Sequence, residues 1–227
     1  RKQQGVVQSR HEVLEELLDA LFEAPSATTG REQADITGLI GQYAHGNEPS
    51  HHIAYLYNAT NRPGKTSERV HEILATQYQN APDGLSGNED CGQMSAWYVM
   101  ASMGLYPLVP GQPEYQLSTP VWEEIEMELA TEKTLTIALG GTGTYLEDYH
   151  TGEKVAPYQQ KRYVTHEQLL QGGKWTAKRS NQISNWAQTQ RYKTNLNNAT
   201  PPAPIIRVPR TFTGTATVEI VPTGSYE

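Results

Sequence analysis

The chain has 227 residues, 37% of them hydrophobic, enough to pack a core as one large domain or two small ones. A formal net charge of -7, with no basic stripe interleaved with aromatics, argues against a nucleic-acid partner, and no apolar run approaches the roughly 18 residues of a membrane span. Cys91 is the single cysteine, which excludes an internal disulfide and a multi-thiolate metal site, so any metal here is held by oxygen or imidazole.

The opening RKQQGVVQSR has no apolar stretch of the signal-peptide kind and no initiator Met, which fits a fragment or a processed product. Val13, Leu14, Leu17, Leu18 and Leu21 then recur at helical spacing, and so do Val70, Ile73, Leu74 and Gln77 behind a Thr66 cap. A third stripe, Met94, Trp97, Tyr98 and Ala101, is closed by Gly104 at the C-terminal stop with Pro107 just beyond. After PGQPEYQ the period changes to alternation. EEIEMELA, KTLTIAL, RYVTHEQLL and ATVEIV read as short strands, punctuated by GGTGT, TGEK and QGGK. Residues 181–204, with NLNNATPPAP, are polar and proline-rich, more linker than core, and the remaining IIRVPRTFTGTATVEIVPTGSYE is too short to fold alone. The expected fold class is mixed, α then β.

One word occurs twice. Gly46-Asn47-Glu48 lies in AHGNEPSHH and Gly87-Asn88-Glu89-Asp90 in GNEDCGQMSAW, each a polar corner running into an amphipathic segment. The simplest reading makes Asn47, Glu48, Asn88 and Asp90 helix caps and turn formers. Paired carboxylates on loops of a helical scaffold are also what glycoside hydrolysis needs, one to protonate the leaving oxygen and one to activate water or attack. A helix N-terminus would favour the ionised form of Asp90, and hard oxygen donors suit calcium rather than zinc. Cys91, as a nucleophile, would need a base such as His45 or His71. Tyr55 or Tyr57 is placed to reach a sugar face, and Asn58-Ala-Thr and Asn198-Ala-Thr are glycosylation sequons.

The long run DITGLIGQYAHGNEPSHHIAYLYN, then KTSERVHEILATQYQNAPDGLSGNEDCGQMSAWYVMASMGLYPLVPG, resembles the C-terminal motifs of the family 92 glycoside hydrolases, calcium-dependent exo-acting α-mannosidases. The likeness is nearly unbroken from residue 35 to 111 and continues more loosely through YQLSTPVWEEIEMEL and YVTHEQLLQGGKW. It implies the C-terminal helices of an (α/α)6 barrel followed by a small β-rich region: residues 1–112 as the end of the barrel, 113–180 as the β-rich part, and 181–227 as a linker with the start of a further β segment. It also implies an inverting hydrolase that releases mannose from α-mannosides of glycans with the help of a calcium ion.

Carried over residue by residue, the resemblance makes Asp90 the general base, with Asn88 beside it as a catalytic neighbour where many members carry a second acid. Asn47, Glu48 and Asn88 become the calcium ligands. Glu48, His45, His51 and Gln93 become substrate contacts. The general acid lies upstream of the matched run, so the expected partner is the remaining N-terminal part of the same enzyme, together with its glycan. Half a barrel would expose Leu14, Leu18, Ile73 and Trp97. An exported location follows from the substrate. The alternatives are a calcium-dependent carbohydrate-binding module without an acid, and an interaction domain whose corners are only caps.

Overall fold

The computed structural model describes residues 9–27, 36–152, 154–189, 205–207 and 219–221. It divides into two compact units, Arg1–Tyr192 and Lys193–Glu227, so the helical stretch and the first β-rich stretch lie in one unit. Asn198 of the second sequon lies outside the described residues.

Helix α1, Arg10–Glu23, starts where Ser9 and Glu12 exchange hydrogen bonds: Ser9 Oγ accepts from the Glu12 N–H at 3.3 Å and the Glu12 carboxylate accepts from the Ser9 N–H at 2.7 Å. Its core face carries Leu18 and Phe22, with Leu14 and Leu21 partly buried, while Val13 and Leu17 point outward at 41% and 64% exposure. The expected stripe is thus rotated by about one position, because Phe22 belongs to it. Strands β1 (Leu39–Ile40) and β2 (Tyr43–Ala44) form a short antiparallel hairpin. Two 3-10 turns come next, Glu48–Ser50 and Ile53–Ala59, and then helices α2 (Gly64–Gln77) and α3 (Gln93–Ser102).

Helix α2 begins earlier than the sequence suggested, after Pro63, and Thr66 is buried inside it, donating its hydroxyl to Asn58 Oδ1 at 2.9 Å. The Asn58 amide in turn donates to Gln116 Oε1 at 3.2 Å and the Leu117 carbonyl at 3.1 Å. A side chain so buried and bonded offers no free amide, so the folded chain has no use for its first sequon. Leu18, Ile73 and Trp97, expected on an exposed barrel face, are buried together with Tyr43, Tyr55, Tyr57, Val70 and Tyr106, and only Leu14 of that set stays partly exposed. Tyr55 stacks on Tyr106 at 4.3 Å and the Tyr57 hydroxyl donates to Asp19 at 2.8 Å, so neither presents a ring to a sugar. Truncating Trp97 to alanine in such a core costs about 3–5 kcal/mol.

The β-rich part has its own core. Strands β3 (Leu105–Tyr106), β4 (Glu114–Leu117) and β8 (Tyr163–Thr165) form an antiparallel sheet in that order. Strands β5 (Glu124–Glu128), β6 (Thr134–Gly141), β7 (Tyr145–His150) and β9 (Gly173–Ser180) form a second sheet, ordered β5-β6-β9-β7, whose β6–β9 pair is parallel. Inward residues alternate as the period-2 pattern requires, with Ile125, Leu135, Ile137, Leu146, Tyr149, Trp175 and Ala177 packed together. RYVTHEQLL, expected as one strand, turns at Thr165 into helix α4, His166–Leu170, because Thr165 and Gln168 cap it reciprocally. Arg162, fully buried, donates to the carbonyls of Asn58, Thr60 and Ala187 and so ties this part to the second 3-10 turn. In the second unit, β10 (Ile205–Arg207) pairs antiparallel with β11 (Glu219–Val221).

Candidate active site

The two polar corners touch through their glycines. A Cβ on Gly46 would stand 1.9 Å from Thr37 Oγ1 and 2.9 Å from the Ser86 carbonyl oxygen, and one on Gly87 would stand 3.1 Å from Gly46 Cα. Only hydrogen at both positions lets the two backbones pass so closely. The repeated Gly-Asn-Glu word is therefore a matched pair of contact points, which sequence spacing alone does not show.

Beyond the contact the corners diverge. Glu48 starts the Glu48–Ser50 turn with Pro49 at its first positions, and its side chain is half-buried. On the other side Asp90, Cys91 and Gly92 take positive φ of 49°, 57° and 93° in succession before α3 begins. Each non-glycine residue held there costs on the order of 1–3 kcal/mol, tolerated where flanking structure fixes it. The fixing is visible: the Glu89 carboxylate accepts from the Ser95 N–H at 2.9 Å and from Ser95 Oγ at 2.8 Å, and the Gln93 N–H reaches the Asp90 carbonyl at 3.3 Å. Glu89, not Asp90, therefore caps α3, a role that sequence reading missed because its partner lies six positions ahead.

The strained loop brings the exposed Asp90 carboxyl beside the Glu48 carboxyl. The Asp90 carboxyl is held above the usual aspartate range, first by its contact with the Glu48 carboxyl, then by desolvation and the Glu48 charge. The facing Glu48 carboxylate thus opposes the helix N-terminus expected to favour ionised Asp90.

The histidines expected at the site lie behind it. His45 is fully buried, its Nδ1 2.8 Å from the Tyr43 hydroxyl and its Nε2 2.6 Å from the Tyr78 hydroxyl, so it has no polar atom left for a sugar. That corrects its assignment as a substrate contact. His51, also buried, spends Nε2 on the His45 carbonyl at 3.0 Å and Nδ1 on Gln93 Nε2 at 3.2 Å, and it too has no atom for substrate. Burial pushes both imidazoles down, His45 to about 3 with the neighbouring His51 contributing. Gln93 is exposed at the first turn of α3, beside the loop that carries Asp90. Asn47 is half-buried and makes no cap bond, and Asn88 is exposed. Cys91 is exposed, and the bases considered for it are engaged elsewhere, His71 through its Nε2 on the Thr119 carbonyl at 2.7 Å.

Among the described residues no group of three or more His, Cys, Asp and Glu side chains converges as a ready metal cluster. The donor set at the corner is two carboxyls with the amides of Asn47 and Asn88 in the adjoining turns, all oxygen. Two facing carboxyls are a chemical fit for a hard cation, which would offset their mutual repulsion.

The catalytic-domain profile of glycosyl hydrolase family 92 matches residues 8–180. The chain belongs to that family. Among solved structures it is similar to a family 92 α-mannosidase of Bacteroides thetaiotaomicron in complex with mannoimidazole, with a TM-score of 0.70 and 33% identity over 80% of this chain and 24% of that one. A family 92 inverting mannosidase of the same organism gives a TM-score of 0.63 and 29% identity, covering 81% of this chain and 26% of that one. An uncharacterized secreted glycosidase of Arthroderma benhamiae is 28% identical over 148 residues, 64% of this chain and 19% of its own length. This family 92 chain thus spans between about a fifth and a quarter of the length of these relatives. No helix among its described residues is long and apolar enough to cross a membrane.

Proposed function

We propose that this chain supplies the base side of the active site of an exo-acting α-mannosidase that inverts configuration. The observation that carries the reading is the contact between Glu48 and Asp90 where the two glycine corners meet, in a chain of the family 92 catalytic domain. Asp90 takes the proton from the attacking water, and Asn88 in the same loop orients that water through its amide. Two carboxyls that face each other directly leave no room for the water between acid and base, which an inverting hydrolase holds roughly 6.5–9.5 Å apart. Glu48 is therefore not the acid. That role falls to a residue of the complete enzyme outside this chain, in the remaining barrel helices of an (α/α)6 architecture.

Glu48, with Asn47 and Asn88, is the oxygen set for a calcium ion, which when bound supplies positive charge that favours the ionised form of Asp90 and contacts sugar hydroxyls. Gln93 is the remaining substrate contact. The substrate class is the α-mannoside ends of glycans, and an exported location suits it, as in the relative named as secreted. The test is turnover of an aryl α-mannoside by the complete enzyme with and without chelator. Calcium-dependent release of mannose with inverted configuration supports the reading; sugar binding without turnover supports the binding-module alternative and overturns it.

A further inference from the structure

The buried imidazoles behind the site have a hydrogen-bond inventory that closes. The Tyr78 hydroxyl donates to the Met94 carbonyl at 3.1 Å, so its oxygen accepts from His45 Nε2–H at 2.6 Å. A neutral His45 then has an unprotonated Nδ1, which accepts from the Tyr43 hydroxyl at 2.8 Å. The His45 carbonyl can only accept, so His51 Nε2, 3.0 Å away, carries its proton as well. His51 Nδ1 is therefore an acceptor, and its partner at 3.2 Å must be the amide nitrogen of Gln93. The His45 and His51 rings stack at 4.8 Å, and Trp97 Nε1 donates to the His51 carbonyl at 3.1 Å, which pins the pair to α3. With one N–H spent on His51, the exposed Gln93 amide is fixed in orientation and keeps its carbonyl oxygen, with a second N–H, for other partners.

We propose that His45 and His51 are positioning residues, fixed as Nε2–H tautomers, which hold the Gln93 amide so that its carbonyl oxygen accepts a hydrogen bond from a ligand hydroxyl. An amide held the other way would select an acceptor. Held this way, the Gln93 oxygen favours a sugar hydroxyl over an ether or fluorine facing it, since neither of those can donate to it. The inference takes only the ligand class, a polyhydroxylated sugar, from the glycosidase reading; the tautomers stand without it.

The experiment is a long-range 1H–15N correlation spectrum of the complete enzyme, with histidine labelled at the ring nitrogens, recorded without substrate. Both His45 and His51 are expected to show protonated Nε2 and unprotonated Nδ1. A proton on Nδ1 of either overturns the proposal. In Gln93→Glu the donor to His51 is replaced by an acceptor, and the His51 Nδ1 resonance is expected to move toward the protonated position; an unmoved resonance contradicts the bond. Gln93→Leu, which removes both amide atoms, is expected to raise KM for an aryl mannoside about tenfold with kcat changed less. An unchanged KM would mean that the Gln93 oxygen meets no hydroxyl. If the complete enzyme turns over no mannoside, the glycosidase reading fails while the spectra still decide the tautomers.

Discussion

The two Gly-Asn-Glu corners share three residues and a point of contact, yet they are built in opposite ways. The first is anchored: His45 and His51 on either side of Glu48 are buried and fully bonded, and the chain enters 3-10 turns at once. The second is exposed and strained, with Asp90 and Cys91 at positive φ, held down by Glu89 on Ser95. Even the matching glutamates differ, since Glu48 faces Asp90 while Glu89 closes a helix end. The contrast teaches that a repeated word marks where backbones meet, while the surroundings of each copy set its chemistry. One corner is the fixed wall, and the other presents the Asp90 carboxyl to it.

The strongest way to break this comparison is at the Asp90 carboxyl. Asp90→Ala in the complete enzyme is expected to lower kcat by about 10²–10⁴-fold with the fold intact, the range for loss of a positioned general base. Activity within a few-fold of wild type, measured alongside an unchanged circular dichroism spectrum, would remove Asp90 from the mechanism. Next comes the hinge between the corners. Gly87→Ala puts a side chain at φ +89°, with its Cβ 2.9 Å from Thr37 Oγ1, and is expected to cost about 1–3 kcal/mol of stability. Differential scanning calorimetry reads this as a lowered Tm, whereas the same change at exposed Gly152, whose Cβ would meet nothing within 4 Å, isolates the backbone term from the contact.

A subtler test uses pH. The Asp90 carboxyl is raised in the folded protein, so in calcium-free buffer its protonation contributes stability that is fully present below the ordinary carboxylate pKa and is lost as pH rises through the raised one. Glu48→Gln is expected to flatten that limb of Tm against pH in the presence of chelator. An identical profile would mean that the two carboxyls do not meet. The smallest effect belongs to the loop anchor: Ser95→Ala removes one of the two bonds to Glu89 and is expected to cost about 0.5–1.5 kcal/mol, read by urea unfolding.

Much of the chain was legible because local signals agreed with the fold. The helix stops at Ser102 with Gly104 beyond it at φ +75°, and the strands at Glu124–Glu128 and Thr134–Gly141 follow the alternation. Strand β9 was missed because only two apolar residues, Trp175 and Ala177, mark its inward face behind the QGGK turn signal, and α4 was missed although Thr165-x-x-Gln168 is a readable cap. At the corners the sequence marked the repeated word but not how its two copies meet. The contact of Gly46 with Gly87 is tertiary, and so is the burial that turns His45 from a sugar ligand into a packing residue. The upward push on Asp90 was missed for the same reason, since the helix end is visible in sequence and the facing Glu48 is not.

The central claim is that both corners form one site through Glu48 and Asp90, and a double-mutant cycle tests it most directly. Glu48→Gln, Asp90→Asn and the double variant of the complete enzyme are compared by kcat/KM on an aryl α-mannoside at saturating calcium. If the carboxyls act together, the double variant is hardly worse than the poorer single one, and the coupling is tenfold or more, about 1.4 kcal/mol. If the two losses simply multiply, the corners act independently and the account of a single shared site is wrong.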